Sequence, residues 1–434
     1  MPNIAFVREG SNLVNMQFFL RHKFTYYLTL AVIATTLFSW LNLNSYLIIL
    51  LLLCRLLDGG AKATLRAAFT NVYFWAFSAI FLIELAGLLY THDLFSAWKH
   101  MESKATLMAI PFIILGGPFT DNTGYRKLMT AYCFLLAATC LYCLVMAVVA
   151  WHWQHDVGVF FYHQLSGAVG VNAVFFSGYV LIAILFLLFS GLTPSSPFSR
   201  PLPGVVMIRG LRISLVLFFT GMMFLLSSRL LLMLLAIAFV VFLIGRRRPK
   251  MKLTAAFSVA LLIALVLAAL AFTDNPFSRR YRELSPGQVT KSIRHDEPLA
   301  YPTVNSISLR LFMWRAAFSI LTEQHAWSVG VSGGDSQIRL NQKYMDAGLS
   351  QGYLGYNFHN EYIEVLVHSG LIGLAIFLLS IAAQIALARA ANGPAAIFTT
   401  ALVLVLCATE SALEMQHGLF LCCFFPLLQL CRLY

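Results

Sequence analysis

Long apolar runs separated by short polar turns cover most of this chain. Stretches such as Leu215–Leu226 and Leu253–Phe272 are almost continuously apolar. A bilayer core of roughly 30 Å needs about 20 apolar residues per crossing helix, whereas the strands of a membrane barrel alternate apolar and polar positions. The pattern therefore predicts about twelve membrane helices, at roughly 25–41, 43–57, 70–90, 105–120, 128–150, 171–191, 211–226, 229–245, 253–272, 360–388, 395–410 and 416–431.

One long segment, residues 273–358, has the mixed composition of a soluble region. Apolar positions at helical spacing predict an amphipathic helix over Ser308–Thr322, and a Gly-rich turn follows at Val329–Asp335. A second helix is expected over Ser336–Ala347. The chain thus divides into helices 1–9 in residues 1–272, a loop domain in 273–358, and helices 10–12 in 359–434.

Composition supports a membrane class. Of the 434 residues, 59% are hydrophobic and 11% are charged, against about 25% charged residues in soluble domains. The net charge of +12 is interpreted as a signal for orientation in the membrane, and nucleic acid is not an expected partner. All eight cysteines fall in predicted membrane segments, so neither a disulfide framework nor a zinc site is predicted.

The distribution of Lys and Arg predicts the topology. If the N-terminus lies in the cytoplasm, the short loops and ends on that side carry 18 Lys and Arg residues, and the short loops on the other side carry 3, namely Lys99, Lys104 and Arg229. Cytoplasmic loops are enriched in these residues, whereas long loops contribute little to orientation. Both termini are therefore predicted to be cytoplasmic, and the loop domain is predicted to lie outside.

His359 is the first candidate for chemistry, because it stands where the polar loop domain meets the tenth predicted span. The positive end of a helix dipole disfavours the imidazolium form, which predicts a neutral imidazole able to accept a proton. The alternative is an interfacial histidine that caps the helix.

Arginines are the candidates for binding phosphate, since the guanidinium fork matches phosphate geometry. Arg229 follows a tight external turn, and Arg310 lies one helical turn before Trp314. Arg315 is about 100° further round the helix from Trp314. Snorkelling is the alternative for Arg229, and contact with lipid headgroups is the alternative for the helix at Arg310.

Other charged residues are weaker candidates. Lys99 and Lys104 lie in the first sizeable external loop and could add positive field, and the cluster Arg279–Arg282 is typical of headgroup contact. Acids in apolar surroundings are functional candidates by default; they are Glu84, Glu361, Glu364, Glu410 and Glu414. No HExxH motif, phosphate-binding loop or dinucleotide fingerprint is present in the sequence, so no metal, ATP or nucleotide sugar is expected.

Three short motifs in chain order resemble the bacterial O-antigen ligase and polymerase superfamily of membrane glycosyltransferases. The resemblance covers roughly residues 210–380. Relatives often carry an acid just before the first glycine of the third motif, where this chain has His368 in the neighbourhood. The motifs are Ser228-Arg229 opening a span, Arg310-xxx-Trp314-xx-Ala317 before a Gly-rich turn, and His359-Asn360-xx-Ile363 running into Gly370-Leu-Ile-Gly373-Leu.

The resemblance implies an all-helical fold of the C-type glycosyltransferase kind, with a periplasmic cleft in the bacterial inner membrane. It implies a glycan donor on undecaprenyl pyrophosphate, a sugar hydroxyl of lipid A–core as acceptor, and no metal or other cofactor. His359 is then expected to be the general base. The pyrophosphate is expected to bind Arg229 and Arg310, and also Lys99, Lys104 and Arg315. The supporting residues are expected to be Asn360, Trp314 and Glu414.

Three alternatives stay open beside an O-antigen ligase. An O-antigen polymerase would use a second lipid-linked glycan as acceptor, but the single large loop favours a ligase. A protein O-oligosaccharyltransferase usually has additional C-terminal sequence. A lipid or polysaccharide transporter often shows internal repeats and midplane sites, and neither is evident in this sequence.

Overall fold

The computed structural model describes residues 23–58, 61–115, 117, 119, 121–190, 209–245, 306–349, 351–391 and 393–431. Across these ranges the chain forms helices and turns, without a strand. The predicted span 253–272, the cluster Arg279–Arg282 and the polar stretch Asp274–Pro302 lie outside the described residues.

The helices are numbered here in chain order. They are α1 (23–37), α2 (Leu41–Asp58), α3 (Ala61–Phe69), α4 (Val72–Gly87), α5 (Leu94–Lys104), α6 (Thr106–Ile114), α7 (Asn122–Gln154), α8 (Tyr162–Gly167), α9 (Ala173–Phe189), α10 (Arg209–Leu226), α11 (Arg229–Gly245), α12 (Ser306–Glu323), α13 (Gly333–Asp346), α14 (Glu361–Ala390), α15 (Pro394–Thr409) and α16 (Gln416–Cys431).

A helix lies at each predicted span that the structure describes. Three of them, α7, α10 and α14, are long and apolar enough to cross a membrane, and several shorter apolar helices accompany them. The chain is therefore a helical membrane protein, while the number of crossings stays a prediction. Helix α6 has only nine residues, about 13 Å of helix, so it covers much less than the predicted span 105–120.

The bundle is built around α9, whose residues from Ala173 to Phe189 are almost all buried. A helix that is apolar on every face belongs in the interior, and α10, α11 and α15 pack against it. Helices α12 and α13 confirm the two helices predicted in the loop domain, with their ends shifted by one to three residues. These two helices share a second core that includes Met313, Leu321, Tyr344 and Phe358.

Helix α14 is broken at Gly370, whose φ of 64° and ψ of −164° are not helical. Residues 327–332 of the loop domain insert at this break and bond to the backbone groups that the break exposes. A Cβ on Gly370 would lie 2.3 Å from the carbonyl of Ser328, so only glycine fits. The four backbone hydrogen bonds are Val331 N to Val367 O, Ser332 N to His368 O, Leu371 N to Trp327 O and Ile372 N to Ser328 O, of 2.8 to 3.2 Å.

This insertion of residues 327–332 fixes the loop domain to a membrane helix. After the break, residues 371–390 of α14 are 20 residues long, about 30 Å of helix, which matches a bilayer core. Before the break, Leu366 and Val367 pack in the core of the loop domain. The first turns of α14 therefore belong with the loop domain, and they carry the residues that follow His359.

Candidate functional site

His359 lies in a rigid turn directly before α14. Its φ is 49°, in the left-handed region, and its backbone N–H donates to Oδ1 of Asn357 at 3.2 Å. Asn360 is the residue that caps the helix, since its side chain accepts a hydrogen bond from Ile363 N at 3.2 Å. His359 therefore precedes the helix and does not cap it, so its imidazole is available for another contact.

That contact is Glu410, which bonds to both His359 and Arg310. Nδ1 of His359 lies 2.9 Å from Oε2 of Glu410, and Nη2 of Arg310 lies 3.2 Å from Oε1. A carboxylate can only accept, so it holds the proton on Nδ1 and leaves Nε2 to accept another. The Glu410 side chain is 7% exposed, whereas Arg310 and His359 are 33% and 27% exposed, which leaves both of the latter accessible to a substrate.

The turn that carries His359 is fixed on both sides. The indole N–H of Trp314 donates to the carbonyl of Phe358 at 3.0 Å, and the amide of Asn360 donates to the carbonyl of Ala408 at 3.2 Å. Trp314 and Asn360 were both expected to support the site, and these contacts give each of them a way to do so. Both bond to backbone carbonyls close to His359 or Glu410, and their supporting role in the site stays a prediction.

Glu364 is a buried carboxylate that bonds to both segments of the site, the one before His359 and the one after Glu410. Its carboxylate accepts hydrogen bonds from the N–H of Phe358, at 3.2 Å, and from the hydroxyl of Ser411. Phe358 precedes His359 in the chain and Ser411 follows Glu410. One buried carboxylate thus ties together the two segments whose side chains meet.

Lys104 forms the centre of a buried ionic cluster beneath Glu364. Its Nζ lies 2.9 Å from Glu84 and 2.6 Å from Glu414, and the side chain is 1% exposed. Burial opposes the charge on Lys104, but the carboxylates of Glu414 and Glu84 outweigh it and raise the pKa of Lys104 above its usual range. Burial raises the pKa of Glu414, but Lys104 and His100 outweigh it and hold that pKa well below its usual value.

His368 extends this cluster to Glu364. Its Nδ1 lies 3.3 Å from Glu84, and its Nε2 lies 3.2 Å from Glu364. His368 thus bonds to one acid on α4 and to one acid a single turn earlier on α14. The cluster is continuous from Lys104 to the turn at His359.

Glu364, His368 and Glu414 also offer ligand atoms that lie within 4.8 Å of one another, a spacing that could suit a metal ion. Lys104 already places an ammonium 2.6 Å from Glu414, and both ring nitrogens of His368 contact carboxylates. A divalent cation would therefore have to bind beside an existing positive charge. The donor set does not fit a resident metal.

The other predicted cations are placed less closely. Arg229 begins α11, which packs against α15, the helix that ends just before Glu410. Lys99 is exposed on α5 and Arg315 is exposed on α12. The structure joins Arg310 to His359 through Glu410, whereas a cleft shared with Arg229, Lys99 or Arg315 stays a prediction.

Glu410 is the residue that sequence reasoning named only as one acid among five and did not pair with His359. The signal for the pairing was in the predicted topology, since the tenth span begins and the eleventh ends on the external side. Glu410 and His359 were thus predicted at the same membrane surface, although they lie 51 residues apart. Nothing in the sequence fixes their lateral distance.

The fold and the site together define a helical membrane protein with an imidazole–carboxylate–guanidinium group at the junction of a loop domain and the bundle. Residues 213–378, which include Arg229, Arg310 and His359, match the family model described as O-Antigen ligase, and this match supports a protein of the O-antigen ligase and polymerase family. Glu410 and Lys104 lie outside the matched residues. A search of curated proteins finds no match for the chain.

Proposed function

We propose that the protein is an O-antigen ligase, which transfers a glycan from undecaprenyl pyrophosphate to a sugar hydroxyl of lipid A–core. The observation that carries the proposal is the Glu410 carboxylate shared between His359 and Arg310. It places a proton acceptor and a fixed cation next to each other, and a reaction with a hydroxyl nucleophile and a diphosphate leaving group needs both.

In the proposed reaction, Nε2 of His359 takes the proton of the acceptor hydroxyl while its oxygen attacks the anomeric carbon of the glycan. The bond from that carbon to the pyrophosphate oxygen breaks, and undecaprenyl pyrophosphate leaves with the electron pair. Attack opposite the leaving group inverts the anomeric configuration. Arg310 has five N–H donors and stabilises the charge that develops on the pyrophosphate, and Arg229 is proposed to do the same from the start of α11.

The proposal includes an arrangement in the membrane. The chain would follow the C-type glycosyltransferase plan and cross the bacterial inner membrane about twelve times, with both termini in the cytoplasm and the loop domain in the periplasm. The apolar bundle would accommodate the polyprenyl tail. The position of the site at the outer end of α15 and before α14 is consistent with substrates that arrive in the outer leaflet.

The test is transfer by purified protein in lipid nanodiscs with defined lipid-linked glycan and lipid A–core, in the presence of a chelator and without nucleotide. His359→Asn is expected to abolish transfer, and asparagine is chosen because it tolerates the left-handed backbone at this position. His152→Ala, an exposed histidine at the end of α7, is the control and should retain activity.

The same assay separates the alternatives. Transfer to a second lipid-linked glycan in place of lipid A–core would identify a polymerase. For a transporter, the protein is placed in liposomes instead, and movement of intact lipid across their membrane without glycan transfer would identify it. Full transfer by a folded His359→Asn variant would remove His359 from the mechanism.

A further inference from the structure

A polar cavity of about 180 Å³ lies behind the turn that carries His359. Helices α5 and α13 form its walls, and they are held together by Asp335, whose carboxylate accepts hydrogen bonds from the backbone N–H groups of His92 and Asp93 at 3.0 to 3.1 Å. The lining includes His100, Ser336, Gln337, Asn357, Glu364 and Glu414. The mechanism proposed above assigns no substrate contact to any of these residues.

The lining suits an uncharged ligand rich in hydroxyl groups. It combines carboxylate, amide, hydroxyl and imidazole groups, and no lysine or arginine is among the described lining residues. The amide N–H groups of Gln337 donate to Asn341 and to the carbonyl of Tyr356, so its amide oxygen can still accept. Nδ1 of His100 is bonded to Glu414 at 3.0 Å, which leaves Nε2 for a ligand. The two carboxylates of the lining are already paired, Glu364 with His368, which also lines the cavity, and Glu414 with Lys104. The described lining therefore offers a phosphate no unpaired cation, whereas sugar hydroxyls can both donate and accept.

The cavity is directly connected to the turn at His359. Asn357 lines it and accepts the hydrogen bond from the backbone N–H of His359. Glu364 lines it and accepts from the N–H of Phe358. Arg310 instead contacts Glu410. The polar cavity and the arginine are therefore separate environments. The cavity adjoins the turn at His359 through Asn357, and Arg310 adjoins His359 through Glu410.

We propose that this cavity binds one uncharged sugar ring of a glycan substrate, and this inference rests on the proposed function. The volume of about 180 Å³ lies below the roughly 300 Å³ at which drug-sized sites begin, so the cavity suits a single ring. The ring belongs either to the donor glycan next to its pyrophosphate or to the acceptor, and the two sources are distinguished by experiment.

The variant that tests the cavity is Ser336→Met, which replaces a small buried residue of the lining with a longer side chain. With the second substrate saturating, the KM of one substrate is expected to rise by about tenfold or more, the loss expected from one or two hydrogen bonds, while kcat stays close to wild type. A rise in the donor KM assigns the ring to the donor, and a rise in the acceptor KM assigns it to the acceptor. Gln342→Met, on the exposed face of the same helix, is the matched control.

A binding measurement makes the result independent of transfer. Saturation-transfer NMR with methyl α-D-glucopyranoside, on protein in nanodiscs, should give a signal for wild type and for Gln342→Met that is lost in Ser336→Met. If wild type binds the glycoside but transfers no glycan, the sugar site stands and the proposed function fails. If Ser336→Met is folded by thermal unfolding, and both KM values and the NMR signal equal those of wild type, the cavity holds no sugar and the proposal is overturned.

Discussion

Replacing Glu410 by glutamine is the most direct test of the arrangement at His359. The change keeps the size of the side chain and removes its charge. One terminal oxygen becomes an NH₂ group, so the side chain can accept from one partner only, whereas the carboxylate accepts from His359 at 2.9 Å and from Arg310 at 3.2 Å. Both partners donate in the wild type, and the amide cannot satisfy both.

Each orientation of the new amide damages the site in a different way. If NH₂ faces Arg310, two donors oppose each other and the guanidinium is displaced. If NH₂ faces His359, Nδ1 must accept, and the ring proton moves to Nε2, the atom proposed to act as base. A hydrogen bond to a charged group contributes about 1.5–3 kcal/mol, which at about 1.4 kcal/mol per factor of ten corresponds to a loss of about 10- to 150-fold. Loss of general-base catalysis alone is worth about 10²- to 10⁴-fold, so a fall in kcat of about 100-fold is expected.

The assay is the initial rate of glycan transfer in nanodiscs, with kcat and KM measured for each substrate. Glu102→Gln is the control, because Glu102 is an exposed carboxylate on α5. Raising the pH should not restore Glu410→Gln, since the distribution between the two neutral tautomers does not depend on pH. A kcat equal to wild type, or an equal loss in Glu102→Gln, would refute the role assigned to Glu410.

Two further variants test the guanidinium of Arg310 and the insertion of residues 327–332 into α14. Arg310→Lys should lower kcat/KM for the lipid-linked donor by about tenfold or more, because a point charge replaces a planar guanidinium. The control is Arg389→Lys, at an exposed position at the far end of α14, and it should keep the wild-type value. Equal kcat/KM values for the two variants would reduce Arg310 to a headgroup contact. Gly330→Ala should lower the unfolding free energy by about 2–5 kcal/mol, the sum of a left-handed backbone and an overpacked contact, because φ is +75° and the new Cβ would lie 2.4 Å from the carbonyl of His368. Gly348→Ala has the same sign of φ and open space around it, so thermal unfolding should show a much smaller effect there.

The positions of the helices could be predicted because apolar runs and polar turns are local properties of the chain. The two helices of the loop domain followed from the same periodicity. The break in α14 could not be predicted in this way, because Gly370 lies in an apolar stretch that continues for many residues. Its conformation depends on residues 327–332, whose backbone hydrogen bonds to α14 join residues 36 or 44 positions apart in the chain.

Two of the side chains that meet in the site could be predicted from the sequence, but the carboxylate that joins them could not. His359 and Arg310 were found from their types and from the side of the membrane assigned to them, but the carboxylate that joins them lies 100 residues from Arg310. Lys104 shows the opposite case. It was expected to add positive field from an external loop, and its local sequence is polar, yet the structure buries it between two acids. Its contact with the pyrophosphate stays a prediction, and its burial favours a supporting role.

The buried cluster and the accessible site form one chain of contacts, and this explains why so many charges are placed beneath a single histidine. Removing a buried charge from its partner costs several kcal/mol, so the pairs made by Lys104 resist rearrangement. They fix His368, His368 fixes Glu364, and Glu364 holds the backbone on both sides of the His359–Glu410 contact. If His359 is the base that we propose, this network holds its imidazole in position without a substrate, and the proposed mechanism then needs no rearrangement of His359 before proton transfer.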